Sequence, residues 1–234
     1  MKLGIMQPYF MPYIGYWQLM NIVDKYVIYD DVNYIKGGWI NRNRILINNQ
    51  VKYFNVQMEG ASPNKLINQV KVTNNRQILE KDLRILEAAY SKAPYFKEIF
   101  PLMKSIILSG ETNLALFIKK SFEVVCEYLS INTEFVLSSD LNKNDILRSK
   151  EKIFEICKIL EADEYFNAIG GQELYNFKDF ETQGIKLKFI KTEYIEYKQF
   201  NKDFNSNLSI IDVLMFNSVQ EIRSYLNEYK IIEG

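Results

Sequence analysis

Two successive aspartates, Asp30 and Asp31, close the apolar run Tyr26-Val27-Ile28-Tyr29. A carboxylate at a partly desolvated strand end has a raised pKa, which suits it to general acid–base work. Adjacent strand residues point to opposite faces, so only one of the pair can serve a cleft there. The plainer role for both is to cap the turn into Val32. Just downstream, Lys36, Arg42 and Arg44 crowd among Asn33, Asn41 and Asn43. Guanidinium forks suit diphosphate and carboxylate oxygens, and amides can read sugar hydroxyls or a base edge. Tyr34 and Trp39 offer faces for stacking; the alternative is a solvated polar edge. If 40–46 is a strand, Arg42 and Arg44 share one face and Asn41 and Asn43 the other. Upstream, Gln7 and Tyr9 lie in a loop with two prolines, and Tyr13-Ile14-Gly15-Tyr16 opens a helix. Helix N-termini favour anions, although a glycine there can also simply let helix and strand pack closely. Far downstream, Gly170, Gly171 and Gln172 follow a strand, and their backbone N–H groups could hold a phosphate or carboxylate. Tyr175 is placed at the same mouth.

Other chemistries are excluded by composition. No histidine occurs in the 234 residues, which removes Ser-His-Asp and Cys-His units. Proton transfer falls to Asp, Glu, Lys or Tyr. Cys126 and Cys157 are far apart, give no metal-ligand spacing and read as buried free thiols, so no metal is expected. Lys plus Arg equals Asp plus Glu, 29 each, and a zero net charge gives no general drive toward nucleic acid. The N-terminus does not read as a signal peptide, and no apolar run approaches a membrane span. The expected location is the cytoplasm. A chain 47% hydrophobic and 25% charged can bury a substantial core, and most of its aromatic residues are expected to fill it.

The elements that must position these groups begin with Leu3-Gly4-Ile5-Met6, an apolar run followed by the proline loop, a helix over 13–23 and the run ending at Asp30. Short continuous apolar runs around a helix read as buried parallel strands with a crossover. Ligands of such units sit beyond the carboxyl ends of the strands. Apolar runs flanking Asn48-Asn49-Gln50 read as a hairpin; Leu66–Val72 reads weakly as a strand. Apolar periodicity predicts helices over 74–90, about 95–108 and 112–130, a helical layer or insertion at about 74–130. Strands at 133–137, 165–168 and 185–190 alternate with helices at 146–161 and 177–182. A polar, aromatic surface loop is expected over 197–207. A helix over 208–216 and a capping box, Ser218 with Glu221, lead into the last helix. Asp212 falls among apolar residues and needs a partner if buried; its expected role is structural. The expectation is a single α/β domain over 1–234 with a mainly parallel, Rossmann-like sheet.

The segments QPYFMPYIGYW, DDVNYIKGGWINRNR, AYSKAPYF, EICKILEADEYFNAIGGQELY and NLSIIDVLMFNS, in this order, resemble the WbqC-like family. That family occurs among enzymes building bacterial O-antigen and related surface sugars, and acyl or glycine transfer has been suggested for it. The resemblance implies a transferase joining an activated acyl or aminoacyl group to the amino group of a nucleotide-linked amino sugar. The donor would be a CoA or carrier-protein thioester, or an acyl-adenylate. Asp30 or Asp31 would take the amine proton, and Lys36, Arg42 and Arg44 would clamp the diphosphate. Tyr13-Ile14-Gly15-Tyr16 also resembles the HIGH-type motif of nucleotidylyltransferases and pantothenate synthetase, with both histidines replaced by tyrosine. An ATP-using ligase or nucleotidylyltransferase relative, and a non-catalytic nucleotide-sugar-binding protein, are the alternatives.

Overall fold

A computed structural model of the chain describes residues 1–144, 146–200 and 203–234. The first unit is β1 (Lys2–Met6), α1 (Ile14–Ile22) and β2 (Lys25–Ile28). The two strands pair in parallel, Leu3 opposite Lys25 through Met6 opposite Ile28. Tyr26, Val27 and Ile28 are all wholly buried, as expected of a strand covered on both faces.

Between β2 and its parallel neighbour β7 (Glu134–Leu137) runs a long excursion. It opens with the hairpin β3 (Arg42–Ile47) and β4 (Gln50–Asn55), in register from Arg42↔Asn55 to Ile47↔Gln50. Asn48 and Asn49 both have positive φ, 51° and 61°, the backbone a two-residue hairpin turn requires and asparagine tolerates. A small ladder follows, β5 (Met58–Glu59) with β6 (Lys71–Val72), and then α2 (Arg76–Tyr90), α3 (Phe96–Ile107) and α4 (Leu114–Leu129). These three helices form the expected helical layer. Asn75 and Asn113 cap α2 and α4, each side chain accepting from two first-turn N–H groups. α4 closes the crossover, with Phe122 edge-on to Trp17 and Tyr26 at centroid distances of 5.6 and 6.1 Å.

The chain then crosses to the other side of β1 through α5 (Ser149–Ile159), β8 (Glu164–Ala168), α6 (Phe177–Glu181) and β9 (Lys186–Thr192). It ends in α7 (Ile210–Phe216), α8 (Val219–Tyr225) and β10 (Tyr229–Glu233). The sheet order is β10-β9-β8-β1-β2-β7, parallel except for β10 against β9. Strand order therefore reverses between β1 and β8. Such a reversal opens a crevice at the carboxyl edge, where ligands of doubly wound sheets bind. One apolar core lies under α1 and α4, and a second under α5 and α6.

Three elements depart from the sequence expectation. α5 starts at Ser149 rather than 146, because the Asn144 side chain accepts from Ile146 N in a local turn and leaves Ile146 82% exposed. The segment 66–72 is split into a 3-10 turn and two strand residues. β10 gave no signal, since it lies at the sheet edge with both faces largely open and carries no alternation. The predicted surface loop 197–207 extends past the described residues at 201 and 202. Within it Gln199 is buried and donates to Asp212 at 2.9 Å.

Candidate functional site

The loop after β1 is the centre of the carboxyl edge. Met11 takes a positive φ of 44°, and its carbonyl accepts from Asn43 Nδ2 at 2.9 Å and Ser209 Oγ at 2.7 Å. The Pro12 carbonyl accepts from the Trp17 indole and from Ile210 N, both at 3.0 Å. The hairpin, α1 and the start of α7 therefore converge on this loop and fix it.

Around it lies a cleft in two adjoining parts. One, about 390 Å³, is walled by Tyr9, Tyr13, Trp39, Asn43, Arg44 and Asn207. The other, about 300 Å³, is walled by Tyr13, Thr192, Glu193, Tyr194, Tyr197 and Asn207. Tyr13 and Asn207 are common to both. The Arg44 guanidinium donates through Nη2 to the Asn207 carbonyl at 2.8 Å and sits 5.7 Å from the Trp39 ring centroid. Its Nε is buried and finds no acceptor among the described residues. Burial raises the pKa of the Tyr13 phenol, and neighbouring Tyr9 adds to the effect, so the hydroxyl stays protonated and can donate. Glu193 is a carboxylate of the wall, paired at 2.7 Å with Lys230.

A separate recess of about 470 Å³ opens beyond β2 and β7, walled by Tyr29, Asp31, Asn33, Lys143, Arg148 and Lys152. Asp31 Oδ2 pairs with Lys143 Nζ at 2.7 Å and Lys152 Nζ at 2.9 Å. Burial alone would raise the Asp31 pKa, but the two lysines outweigh it and hold it below the usual carboxylate range. Asp30 points the other way and is 1% exposed. Its oxygens accept from Ser139 N at 3.0 Å and Ser139 Oγ at 2.7 Å, joining the ends of β2 and β7. Burial raises its pKa, with the Ser139 bonds opposing.

The predicted site residues are thus divided. Tyr9, Tyr13, Trp39, Asn43 and Arg44 come together in the cleft; Asp31 and Asn33 belong to the second recess. Gln7 lies on the same edge, half-buried at the end of β1, but lines neither. Arg42 shares a strand face with Arg44, as expected, yet its fork is turned onto the carbonyls of Gly37 and Gly38 and over the Tyr53 ring at 4.3 Å. Lys36 is exposed in the turn before Trp39.

Asn41 is buried, accepting from Tyr34 Oη at 2.9 Å and donating to the Val56 carbonyl at 3.1 Å, so Tyr34 and Asn41 are hairpin core rather than a stacking platform. Asn33 donates to the Pro63 carbonyl at 2.7 Å. Gly15 is closely packed: a Cβ there would lie 2.5 Å from the Tyr13 ring and 2.6 Å from Thr192 Oγ1. Tyr16 is buried against Tyr9, with ring centroids 5.0 Å apart. Gly170, Gly171 and Gln172 form a 3-10 turn after β8 that reaches neither recess, and Gly171 packs on the Asn167 side chain. Tyr175 turns inward onto Tyr165 and Phe180 instead of lining a mouth.

Thr192, Glu193, Tyr194, Tyr197, Asn207, Lys143 and Lys152 are wall residues that motif reading did not single out. Only Lys152 carried a signal. It falls four residues before buried Ile156 on the inner face of α5, an unusual place for a lysine without a partner. Among the described residues no cluster of three metal-ligating side chains occurs, and no helix is long and apolar enough to cross a membrane.

A protein of Mycobacterium tuberculosis (strain ATCC 25618 / H37Rv), the uncharacterized protein Rv1507c, is similar to this chain: 30% identical over 229 residues, covering 96% of this chain and 97% of the relative. No solved structure matches. The pattern of the WbqC-like protein family matches residues 7–224, from the loop after β1 that the cleft is built on to α8, and the chain belongs to that family.

Proposed function

We propose that the Tyr13–Arg44 cleft binds a nucleotide-linked amino sugar, and that the chain transfers an activated acyl or aminoacyl group to its amino nitrogen in making a surface-polysaccharide precursor. The observation carrying this reading is Arg44. It is a guanidinium with an unsatisfied Nε, set between an indole and a wall of tyrosines at the carboxyl edge of the sheet. Arginine forks suit diphosphate oxygens, and aromatic walls suit a base or sugar ring. Family membership supports the pathway.

In the proposed step the amine attacks the acyl carbonyl of a CoA or carrier-protein thioester. A C–N bond forms, the C–S bond breaks and the thiolate leaves. The amine proton passes to a carboxylate or to water and finally to the thiolate. Asp30 is sealed by Ser139 and Asp31 is held by two lysines. Glu193, on the cleft wall, is the better-placed acceptor. The protonated Tyr13 hydroxyl is a donor to the developing oxyanion.

Isothermal titration with uridine- and thymidine-diphosphate amino sugars, CoA and ATP tests the reading. A nucleotide amino sugar should bind, and Arg44→Ala should weaken it by about 1.5–3 kcal/mol, the usual range for a hydrogen bond to a charged group. Arg42→Ala, whose fork serves its own turn, should leave affinity nearly unchanged. If no nucleotide sugar binds, or if Arg44→Ala binds like the wild type, the assignment fails. Binding of ATP alone would favour the ligase alternative.

A further inference from the structure

We propose that the outer face of the β3–β4 hairpin docks on an anionic lipid surface, so that the mouth of the Tyr13–Arg44 cleft meets the bilayer. Alternation puts Arg42 and Arg44 on one face of β3, and the register sets Tyr53 opposite Arg44 and Val51 opposite Leu46 on that same face. The Trp39 ring lies 5.9 Å from the Tyr53 ring. Arg42 sits over Tyr53 at 4.3 Å, and its fork donates to the carbonyls of Gly37 and Gly38, which ties in the turn carrying Ile35 and Lys36. Ile35, Trp39, Val51 and Tyr53 are 51%, 39%, 41% and 48% exposed. Trp39 and Arg44 also wall the cleft, so this face runs directly into its mouth.

The charge of this part of the chain is one-sided. Between Val32 and Val72 stand Lys36, Arg42, Arg44, Lys52, Lys65 and Lys71 against Glu59 alone, in a chain with no net charge. Among the described residues none of these cations pairs with a carboxylate. Apolar groups left in water and rimmed by polar ones mark an interaction face, and the unpaired cations call for an anionic partner. The residue types select a bilayer among anionic partners. Trp and Tyr rings settle at the headgroup level, and basic residues beside them are drawn to anionic headgroups. Ile35 and Val51 add aliphatic groups that a base or a phosphate would not use. A single-stranded nucleic acid would need open ring faces for stacking, and Arg42 already lies over the Tyr53 ring. The inference stands apart from the ligand proposed for the cleft, and vesicle binding and nucleotide-sugar binding can fail separately.

The test is co-sedimentation of the full chain with vesicles of equimolar phosphatidylglycerol and phosphatidylcholine, and with vesicles of phosphatidylcholine alone, read together with tryptophan emission. The chain has two tryptophans and Trp17 is wholly buried, so a shift on binding reports Trp39. The anionic vesicles should sediment the protein and move its emission to the blue, added salt should release it, and phosphatidylcholine alone should do neither. Lys36 and Val51 are exposed and line neither half of the cleft, so Lys36→Glu and Val51→Asp should fold, with urea midpoints near that of the wild type. Lys36→Glu should weaken vesicle binding about fivefold or more, because a basic residue near an anionic surface contributes about 1 kcal/mol and 1.4 kcal/mol is about tenfold. Val51→Asp should weaken it as well. No sedimentation with anionic vesicles, equal sedimentation with phosphatidylcholine, an unmoved emission, or wild-type binding by both variants would overturn the proposal. Binding of polyuridylate or polyglutamate without binding of vesicles would give the face to a nucleic acid or an acidic protein and overturn it equally.

Discussion

Gly15→Ala separates the packing role of this glycine from the phosphate-access role its motif suggests. An added methyl would lie 2.5 and 2.8 Å from Cε2 and Cζ of the Tyr13 ring and 2.6 Å from Thr192 Oγ1. Ordinary carbon contacts are about 3.5–4.0 Å, so ring and hydroxyl must each retreat by roughly 1 Å. Overpacking of this kind costs about 1–3 kcal/mol. Thr192 Oγ1 also donates to Gln18 Oε1 at 2.7 Å. Gln18 is fully buried and spends its Nε2 on the carbonyls of Tyr225 and Glu228. Displacing Thr192 adds about 0.5–1.5 kcal/mol for that bond. Better helix propensity returns about 1 kcal/mol. The net expectation is a loss of about 1–3 kcal/mol, read in urea as a lower midpoint with an unchanged slope. Because Tyr13 walls both halves of the cleft, ligand affinity should fall as well. Adding Tyr13→Ala to the variant removes the ring from the clash and should recover part of the stability. A Gly15→Ala protein as stable as the wild type would refute the packing argument and return the glycine to the backbone-access role.

Two further outcomes follow from buried carboxylates. Asp82 in α2 is 8% exposed and burial raises its pKa to about 6, above its unfolded value of about 3.9. Its favourable contribution is therefore present at low pH and lost as pH rises through about 6. Asp82→Asn should exceed the wild type by at most about 2–3 kcal/mol at pH 8, with the gap closing toward pH 4; urea unfolding at both pH values checks this, and a pH-independent gap would contradict it. Asp212 is fully buried and accepts from Tyr90 at 3.0 Å, Tyr197 at 2.8 Å and Gln199 at 2.9 Å. Asp212→Asn turns one acceptor into a donor facing a donor, and should cost about 2–4 kcal/mol. It should also loosen Tyr197 in the cleft wall; unchanged stability and unchanged nucleotide-sugar affinity would show the network to be idle.

The strands and helices that frame the site were legible because their signals are local. Leu3 to Met6 and Tyr26 to Tyr29 are continuous apolar runs around a helix, and they became neighbouring parallel strands. Asn48-Asn49 supplied the positive-φ turn of the hairpin, and Ser218 with Glu221 formed the capping box of α8. Periodicity also gave the three helices of the inserted layer. Asp212, an acid among apolar residues, had to find donors, and did.

What the sequence could not supply was which polar groups would meet. Arg42 and Arg44 have the same type, strand and face. Arg42 is used by the carbonyls of its own turn, whereas Arg44 reaches Asn207, 163 residues away, because α7 and the hairpin both dock on the loop after β1. Asp30 and Asp31 diverged as alternation requires, but their partners, Ser139, Lys143 and Lys152, arrive from beyond β7 across more than a hundred residues. Side-chain type, apolar run length and turn chemistry are properties of a few consecutive residues, so the sequence alone determined the elements and the edge of the sheet on which chemistry could occur. Pairing of charges depends on long-range packing of segments with no local mark of one another, so only the tertiary structure decided that this edge carries two separate recesses, and which residues face each.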